Sequence, residues 1–300
     1  LYCNAIPVFA DIEKDTFNIN PNDIIKKITK KTKAIIAVSL YGLPANLQKI
    51  RYIANKYNLK LIEDNAECIL GKCNNKSIGS FGDISIFSFQ RSKHLTTGDG
   101  GMIITNNKKL ATLCRKYADL GYRKLTANSI SNEDIKYEIQ HFNYKRHDKI
   151  GFNYRMPELC AAVGISQLKK MNHLVKKRIK IANIFLKILN KYSWVKVQKV
   201  PLKYTSSYWT VAFIIDRKEK NIWDKFREFF IKNGGDPFYG AWALSYNEPS
   251  LKKIKNKLII TCPEAEYIQP RIIQLKTNYN SFEYAKKQSL ILELTLDHFN

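Results

Sequence analysis

Short apolar runs alternate with amphipathic stretches through residues 6–120, and that rhythm restricts the chain to a small group of folds. Residues 6–12 (IPVFADI), 32–40 (TKAIIAVSL), 59–64 (LKLIED), 84–89 (ISIFSF) and 101–105 (GMIIT) read as strands, the second of them of the buried type. Between them, residues 21–28, 47–57 and 108–120 carry helical spacing, with Asn20 as the expected N-cap and Pro21 at the first helical position. The alternation predicts an α/β layer with a mostly parallel central sheet flanked by helices. Ligands of such open sheets gather outside the carboxyl ends of the strands. Asp64 and Ser88 stand at two such ends, and Lys93 follows just after the second.

The second half has a different pattern. A long helix is predicted over 158–178 and continues in character to 192; it is followed by a strand at 208–215, a helix at 223–232, an aromatic loop at 234–246 and a short helix at 281–290. We therefore expect a large domain over 1–156 and, over 157–300, a connecting helix with a small α+β domain. The polar stretch 126–144 is expected to be a surface insertion. No apolar run approaches the ~20 residues of a membrane span. The six cysteines are scattered without a C-x-x-C pair, which suits reduced thiols in the cytoplasm, and with five dispersed histidines they predict no metal site. The formal charge of +24 comes from lysines spread along the chain beside abundant Asn and Ile, a pattern that reads as codon composition. It predicts attraction for anionic ligands without a nucleic-acid partner.

The chemistry concentrates in the stretch F-S-F-Q-R-S-K-H-L-T-T-G-D-G-G at 87–101. A lysine amine forms Schiff bases with aldehydes when its surroundings favour the neutral form. Fixing such an amine needs a rigid strand before it and a tight turn after it, and Gly98, Gly100 and Gly101 offer the turn. Ser88, upstream on the strand, has a hydroxyl suited to a phosphate. Taken alone, the segment reads as well as a solvated lysine beside a glycine turn. Glu63-Asp64-Asn65-Ala66-Glu67-Cys68 adds an aspartate at a strand end. That is a common N-cap, and it is also what a pyridine nitrogen needs to stay protonated.

Together these segments resemble the DegT/DnrJ/StrS sugar aminotransferases. The resemblance rests on I-E-D-N-A-E-C, S-I-G-S-F-G-D-I-S-I-F-S-F, S-K-H-L-T-T-G-D-G-G, G-F-N-Y-R-M-P-E-L-C-A-A-V-G and C-P-E-A-E-Y-I-Q-P-R, in the family's order and at its spacings over nearly the whole chain. It implies the fold type I architecture of transferases dependent on pyridoxal phosphate, and transfer of an amino group, usually from glutamate, to a keto-sugar carried by a nucleotide. By position, Lys93 matches the lysine that binds the cofactor and shuttles the proton, Asp64 the partner of the ring nitrogen, and Ser88 a phosphate ligand. Asn153 matches an asparagine that reaches the neighbouring subunit's phosphate, so a homodimer with shared sites is implied.

The chain also departs from the family pattern. Glu67 stands where Gln or His usually touches the ring hydroxyl, and Ser39 where many members have His. The chain opens after the family's phosphate-binding turn and ring-stacking aromatic, so a fragment that binds the cofactor weakly, or a non-catalytic remnant, is an open alternative. A dehydratase relative carries His at the lysine position, and His94 adjoins Lys93. In the aromatic loop, Tyr239 and Trp242 lie where members contact the sugar nucleotide, although the loop reads equally as a packed one. Similarity there, and in C-P-E-A-E, to perosamine-synthase-like members points to a GDP-linked 4-keto-6-deoxyhexose for surface polysaccharide.

Overall fold

The computed structural model describes residues 1–123, 140–258 and 260–300. Strands β1 (Ala34–Val38), β2 (Lys60–Asp64), β5 (Ile84–Ser88) and β6 (Gly101–Ile104) form one sheet in that order, between which β3 (Lys72–Cys73) and β4 (Lys76–Ser77) make a small hairpin. β1, β2 and β5 run parallel, and β6 returns antiparallel, which makes the sheet mostly parallel. Helices α1 (Pro21–Lys27), α2 (Leu47–Lys56) and α3 (Lys108–Ala118) accompany it. α2 buries Leu47, Ile50, Ile53 and Ala54, a stripe at helical spacing, against Ile35, Ala37 and Leu61 of the sheet. Asn20 caps α1 by accepting the Asn22 N–H at 2.9 Å, as its sequence predicts.

The rest of the chain begins with α4 (Glu158–Leu189), one unbroken helix of 32 residues. Its second half buries Ile181, Ala182, Phe185, Ile188 and Leu189 against an antiparallel sheet of β7 (Val195–Val197), β8 (Thr210–Ile215) and β9 (Ile272–Lys276). α5 (Ile222–Lys232) and α7 (Phe282–His298) close this second core around Phe213, Phe226 and Phe230, while α6 (Pro263–Ile268) leads into β9. Among the described residues no helix is long and apolar enough to cross a membrane.

Several local expectations need correction. Residues 6–12 are not a strand: Ile12 alone makes a bridge, to Ile19. Pro7 has no N–H for a ladder, and Asp11 turns its carboxylate to the first-turn N–H groups of Glu264 and Ala265, capping α6 from far away in sequence. β1 is covered on one face only, with Ile36 58% exposed. The final helix runs well past residue 290, to His298; its buried stripe includes Gln288, Ser289 and Thr295, which blurs the apolar period. β9 and α6 carry no expectation of their own from periodicity. The segment 126–144 lies mostly outside the described residues.

The turn after β5 is held from both halves of the chain. Lys93 N–H bonds to the Gln90 carbonyl at 2.9 Å and Thr97 N–H to the Phe89 carbonyl at 2.9 Å, which closes the turn. Gly98 takes φ +87°, open to glycine without strain. Gly101 has ordinary φ, but a Cβ there would meet the Phe87 carbonyl oxygen at 2.8 Å. Arg178, buried in α4, spreads its guanidinium over the Lys93 carbonyl (2.8 Å), the Ser92 carbonyl (3.3 Å), the Trp209 carbonyl (3.0 Å) and Thr277 Oγ1 (3.1 Å). Burial brings its pKa down to about 10, so it stays charged at neutral pH.

His94 is buried beside it, with Nε2 3.1 Å from the Ser207 carbonyl. A carbonyl can only accept, so Nε2 carries the proton and donates. Burial, and then the nearby Arg178 charge, lower its pKa from 6.5 to about 3. Between those values the unfolded chain holds a proton that the folded chain refuses, so stability is full above pH 6.5 and falls as pH drops towards 3. The contribution approaches about 1.4 kcal/mol per pH unit inside the window. Urea denaturation at pH 6.5 and pH 5 is expected to show this loss in the parent chain and a shallower loss in His94→Gln, which keeps a donor for Ser207.

Candidate active site

β2 ends on two carboxylates, and alternation along the strand sends them to opposite faces. Glu63 is fully buried and accepts from the N–H groups of Gly79, Phe81 and Gly82 at 2.6–2.7 Å and from Asn65 Nδ2 at 3.1 Å. Its oxygens are committed to shaping the 79–82 turn. Asp64 accepts only the Ala66 N–H, at 3.0 Å on Oδ1, and among the described residues its Oδ2 has no hydrogen-bond partner. The strand register sets Asp64 beside Ile86, so Ser88 lies two residues further along the adjacent strand. Ser88 Oγ accepts the Gln90 N–H at 3.3 Å, which leaves its O–H to donate.

Lys93 turns its amine back towards these strand ends. Nζ lies 3.6 Å from Glu67 Oε1 and 4.3 Å from the centroid of the Trp209 ring, and its side chain is 15% exposed. Glu67 Oε2 accepts the N–H of Tyr41 at 3.1 Å. Burial raises the Glu67 pKa, a shift that the Tyr41 N–H and the Lys93 amine oppose and the Asp64 charge reinforces. Tyr41 reaches this position with φ +61°, a strained conformation for a bulky residue and one that aims its N–H at Glu67. Ser39, just upstream, is buried and donates to Asn65 Oδ1 at 3.0 Å, on the shoulder of the same strand end.

An amine for an aldehyde, a carboxylate oxygen for a protonated ring nitrogen and a hydroxyl for a phosphate therefore sit on neighbouring strand ends. As a donor set they fit pyridoxal phosphate. Trp209, Tyr41 and Arg178 complete the surroundings, and sequence reasoning did not single them out. Trp209 lies in a stretch read only as a strand, Arg178 in a run of lysines, and nothing local marks Tyr41.

Other expected site residues stand elsewhere. Asn153 is exposed, forms a bridge with Asp119, and accepts from Arg155 Nε at 3.1 Å; no hydrogen bond among the described residues joins it to the Lys93 cluster. Tyr239 and Trp242 are 63% and 83% exposed. Phe238, immediately before Tyr239, is buried against Trp223 and Phe226, so the loop is packed through one aromatic and open through the other two. Gln274 holds the loop by donating to the carbonyls of Tyr239 (2.8 Å) and Gly240 (2.8 Å). His94 points into the core, away from the position Lys93 occupies beside Glu67.

The chain is 38% identical over 219 residues to the GDP-perosamine synthase of Escherichia coli O157:H7, covering 73% of this chain and 55% of that protein. It is 33% identical over 254 residues to the GDP-perosamine synthase of Vibrio cholerae, covering 84% and 64%. The chain thus spans less than two thirds of the length of these curated relatives. Among solved structures, Helicobacter pylori PseC, described as an aminotransferase involved in the biosynthesis of pseudoaminic acid, superimposes with a TM-score of 0.86 at 25% identity, covering 99% of this chain and 76% of that one. The E. coli GDP-4-keto-6-deoxy-D-mannose-3-dehydratase with bound hydrated PLP gives 0.79 at 25% identity, covering 95% and 73%. These neighbours share the mostly parallel sheet with flanking helices of fold type I. Residues 1–289 match one family along nearly the entire chain, and the protein belongs to the DegT/DnrJ/EryC1/StrS aminotransferase family.

Proposed function

We propose that the chain works as a pyridoxal-phosphate-dependent aminotransferase that passes an amino group, with glutamate as the donor, to the keto carbon of a nucleotide-linked sugar in surface polysaccharide synthesis. The observation that carries this reading is the Lys93 amine held beside Glu67 at the ends of β2 and β5. The similarity to two GDP-perosamine synthases supports a GDP-linked 4-keto-6-deoxyhexose as the acceptor. When bound, the cofactor supplies an aldehyde for amine exchange and a ring that takes up electron density.

In this reading Lys93 Nζ holds the cofactor and carries the proton to and from the substrate carbon. Asp64 Oδ2 accepts from the ring nitrogen and keeps it protonated. Ser88 Oγ donates to the phosphate. Glu67, beside the Lys93 amine, would face the ring hydroxyl. Tyr239 and Trp242 present exposed faces on which a nucleotide base can stack. Asn153 serves the site of a second copy in a homodimer; its exposure, next to the exposed, stacked rings of Phe152 and Tyr154 (5.0 Å), supports that role. Six free thiols support a cytoplasmic setting. A dehydratase would need an imidazole where the Lys93 amine stands, and the His94 ring is engaged with Ser207 in the core.

Two measurements test the proposal. Borohydride reduction in the presence of pyridoxal phosphate, followed by peptide mapping, is expected to place the pyridoxyl group on Lys93 and to find none in Lys93→Ala. Labelling on Lys72 or Lys76 instead overturns the assignment, and no labelling at all favours the remnant reading. In a second experiment Asp64→Asn is expected to keep the fold and the trap at Lys93 while turnover of glutamate with a GDP-linked keto-sugar falls by roughly a hundredfold or more, as for loss of other preorganised charges. Unchanged turnover in the folded variant would remove Asp64 from the mechanism.

A further inference from the structure

Lys93 belongs by sequence to the turn after β5, yet the groups that fix it come largely from the second half of the chain. Trp209, immediately before β8, reaches it twice. Its Nε1–H donates to the Ser92 carbonyl at 2.9 Å, and its ring face lies 4.3 Å from the Lys93 amine. A lysine cation over an indole face is attracted by the ring quadrupole, and indole is the strongest of the aromatic partners.

The Trp209 main chain is itself held. Its own carbonyl accepts from Arg178 Nη1 at 3.0 Å and from Thr277 Oγ1 at 2.8 Å. Arg178 Nη2 meanwhile takes the carbonyls of Ser92 and Lys93. The Ser92 carbonyl therefore accepts from two donors, Trp209 and Arg178, both outside the turn. Glu67, at 3.6 Å, is the other close partner of the amine. A packed side chain fixed at both ends is what holds a reactive group to sub-ångström tolerance.

We propose that Trp209 is a positioning residue for Lys93: its ring face and N–H together hold the amine at Glu67, with Arg178 locking Trp209 to the Ser92–Lys93 carbonyls. The presentation of the reactive amine is then set by the unit built on β7, β8 and β9. The inference rests on Lys93 being the reactive amine proposed above, but its test does not require turnover or bound cofactor.

Trace labelling of the cofactor-free full chain with acetic anhydride, read lysine by lysine by mass spectrometry, provides that test. Lys116 is the internal reference, since its side chain is also 15% exposed and is paired with Asp148, away from the site. With the ring removed in Trp209→Leu, Lys93 labelling is expected to rise about tenfold relative to Lys116, the size that loss of one partly desolvated cation–π contact implies. Trp209→Phe keeps a ring face without the N–H and is expected to restore about half of the protection on a logarithmic scale, leaving a twofold to threefold rise at Lys93. An equal rise at Lys93 and Lys116, or an unchanged Lys93 in a Trp209→Leu chain with parent-like circular dichroism, would overturn the proposal. If Trp209→Leu does not fold, Trp209→Phe decides alone: about a twofold to threefold rise at Lys93 with Lys116 unchanged supports the role, and no rise refutes it. Failure of borohydride trapping in the parent chain, with this labelling pattern intact, would count against the cofactor reading and leave the positioning role standing.

Discussion

A guanidinium buried among neutral acceptors is an unusual way to hold two halves of a chain together, and here the site depends on it. Among the described residues Arg178 leaves water with no carboxylate in an ion pair with it, and desolvation of such an ion costs several kcal/mol. Four hydrogen bonds to carbonyls and a hydroxyl offset that cost, each worth about 1.5–3 kcal/mol because one partner is charged. The planar fork matters as much as the charge: two nitrogens face the Lys93 turn and the β8–β9 end at once, which a lysine ammonium cannot do with fixed geometry. Because the acceptors are backbone carbonyls, the contact fixes main-chain positions and imposes little on the side chains around it. The low pKa of His94 follows first from its burial and then from the same charge, so the buried cation that shapes the turn also adds to what keeps its core histidine neutral.

The sequence carried the parts of this arrangement that arise locally. Apolar alternation located β2 and β5, and with them Asp64 and Ser88, because side-chain period and strand end are both short-range properties. The glycines after Lys93 marked the turn for the same reason. Arg178 and Trp209 were not legible, because their roles come from meeting across the fold: nothing in a lysine-rich helix distinguishes the one basic residue that faces inward. Of the two carboxylates ending β2, strand alternation alone says that they diverge; the backbone N–H groups of 79–82 decide that Glu63 is the structural one. Residues 6–12 misled because an extended, apolar segment need not join a ladder, and here Asp11 gives it a different task.

The aromatic loop shows how packing and recognition share one short segment. Phe238 enters the core between Trp223 and Phe226, and Gln274 ties the neighbouring carbonyls to β9. That leaves Tyr239 and Trp242 exposed on a backbone that is not free to drift. Exposed aromatics on an anchored loop lose little conformational entropy on contact with a ligand, since the backbone is ordered beforehand and each ring has only two rotatable side-chain bonds.

The Asp11 carboxylate reaches α6 across 253 residues of chain. α6 has only six residues, too few to persist by propensity alone, and its first turn takes two of its hydrogen bonds from that distant side chain. Closing a loop of that length carries an entropy cost, which grows only slowly with length and is shared with the other contacts between the two ends. A change at Asp11 would therefore be felt at α6, near the other end of the chain, as much as among its own neighbours in sequence.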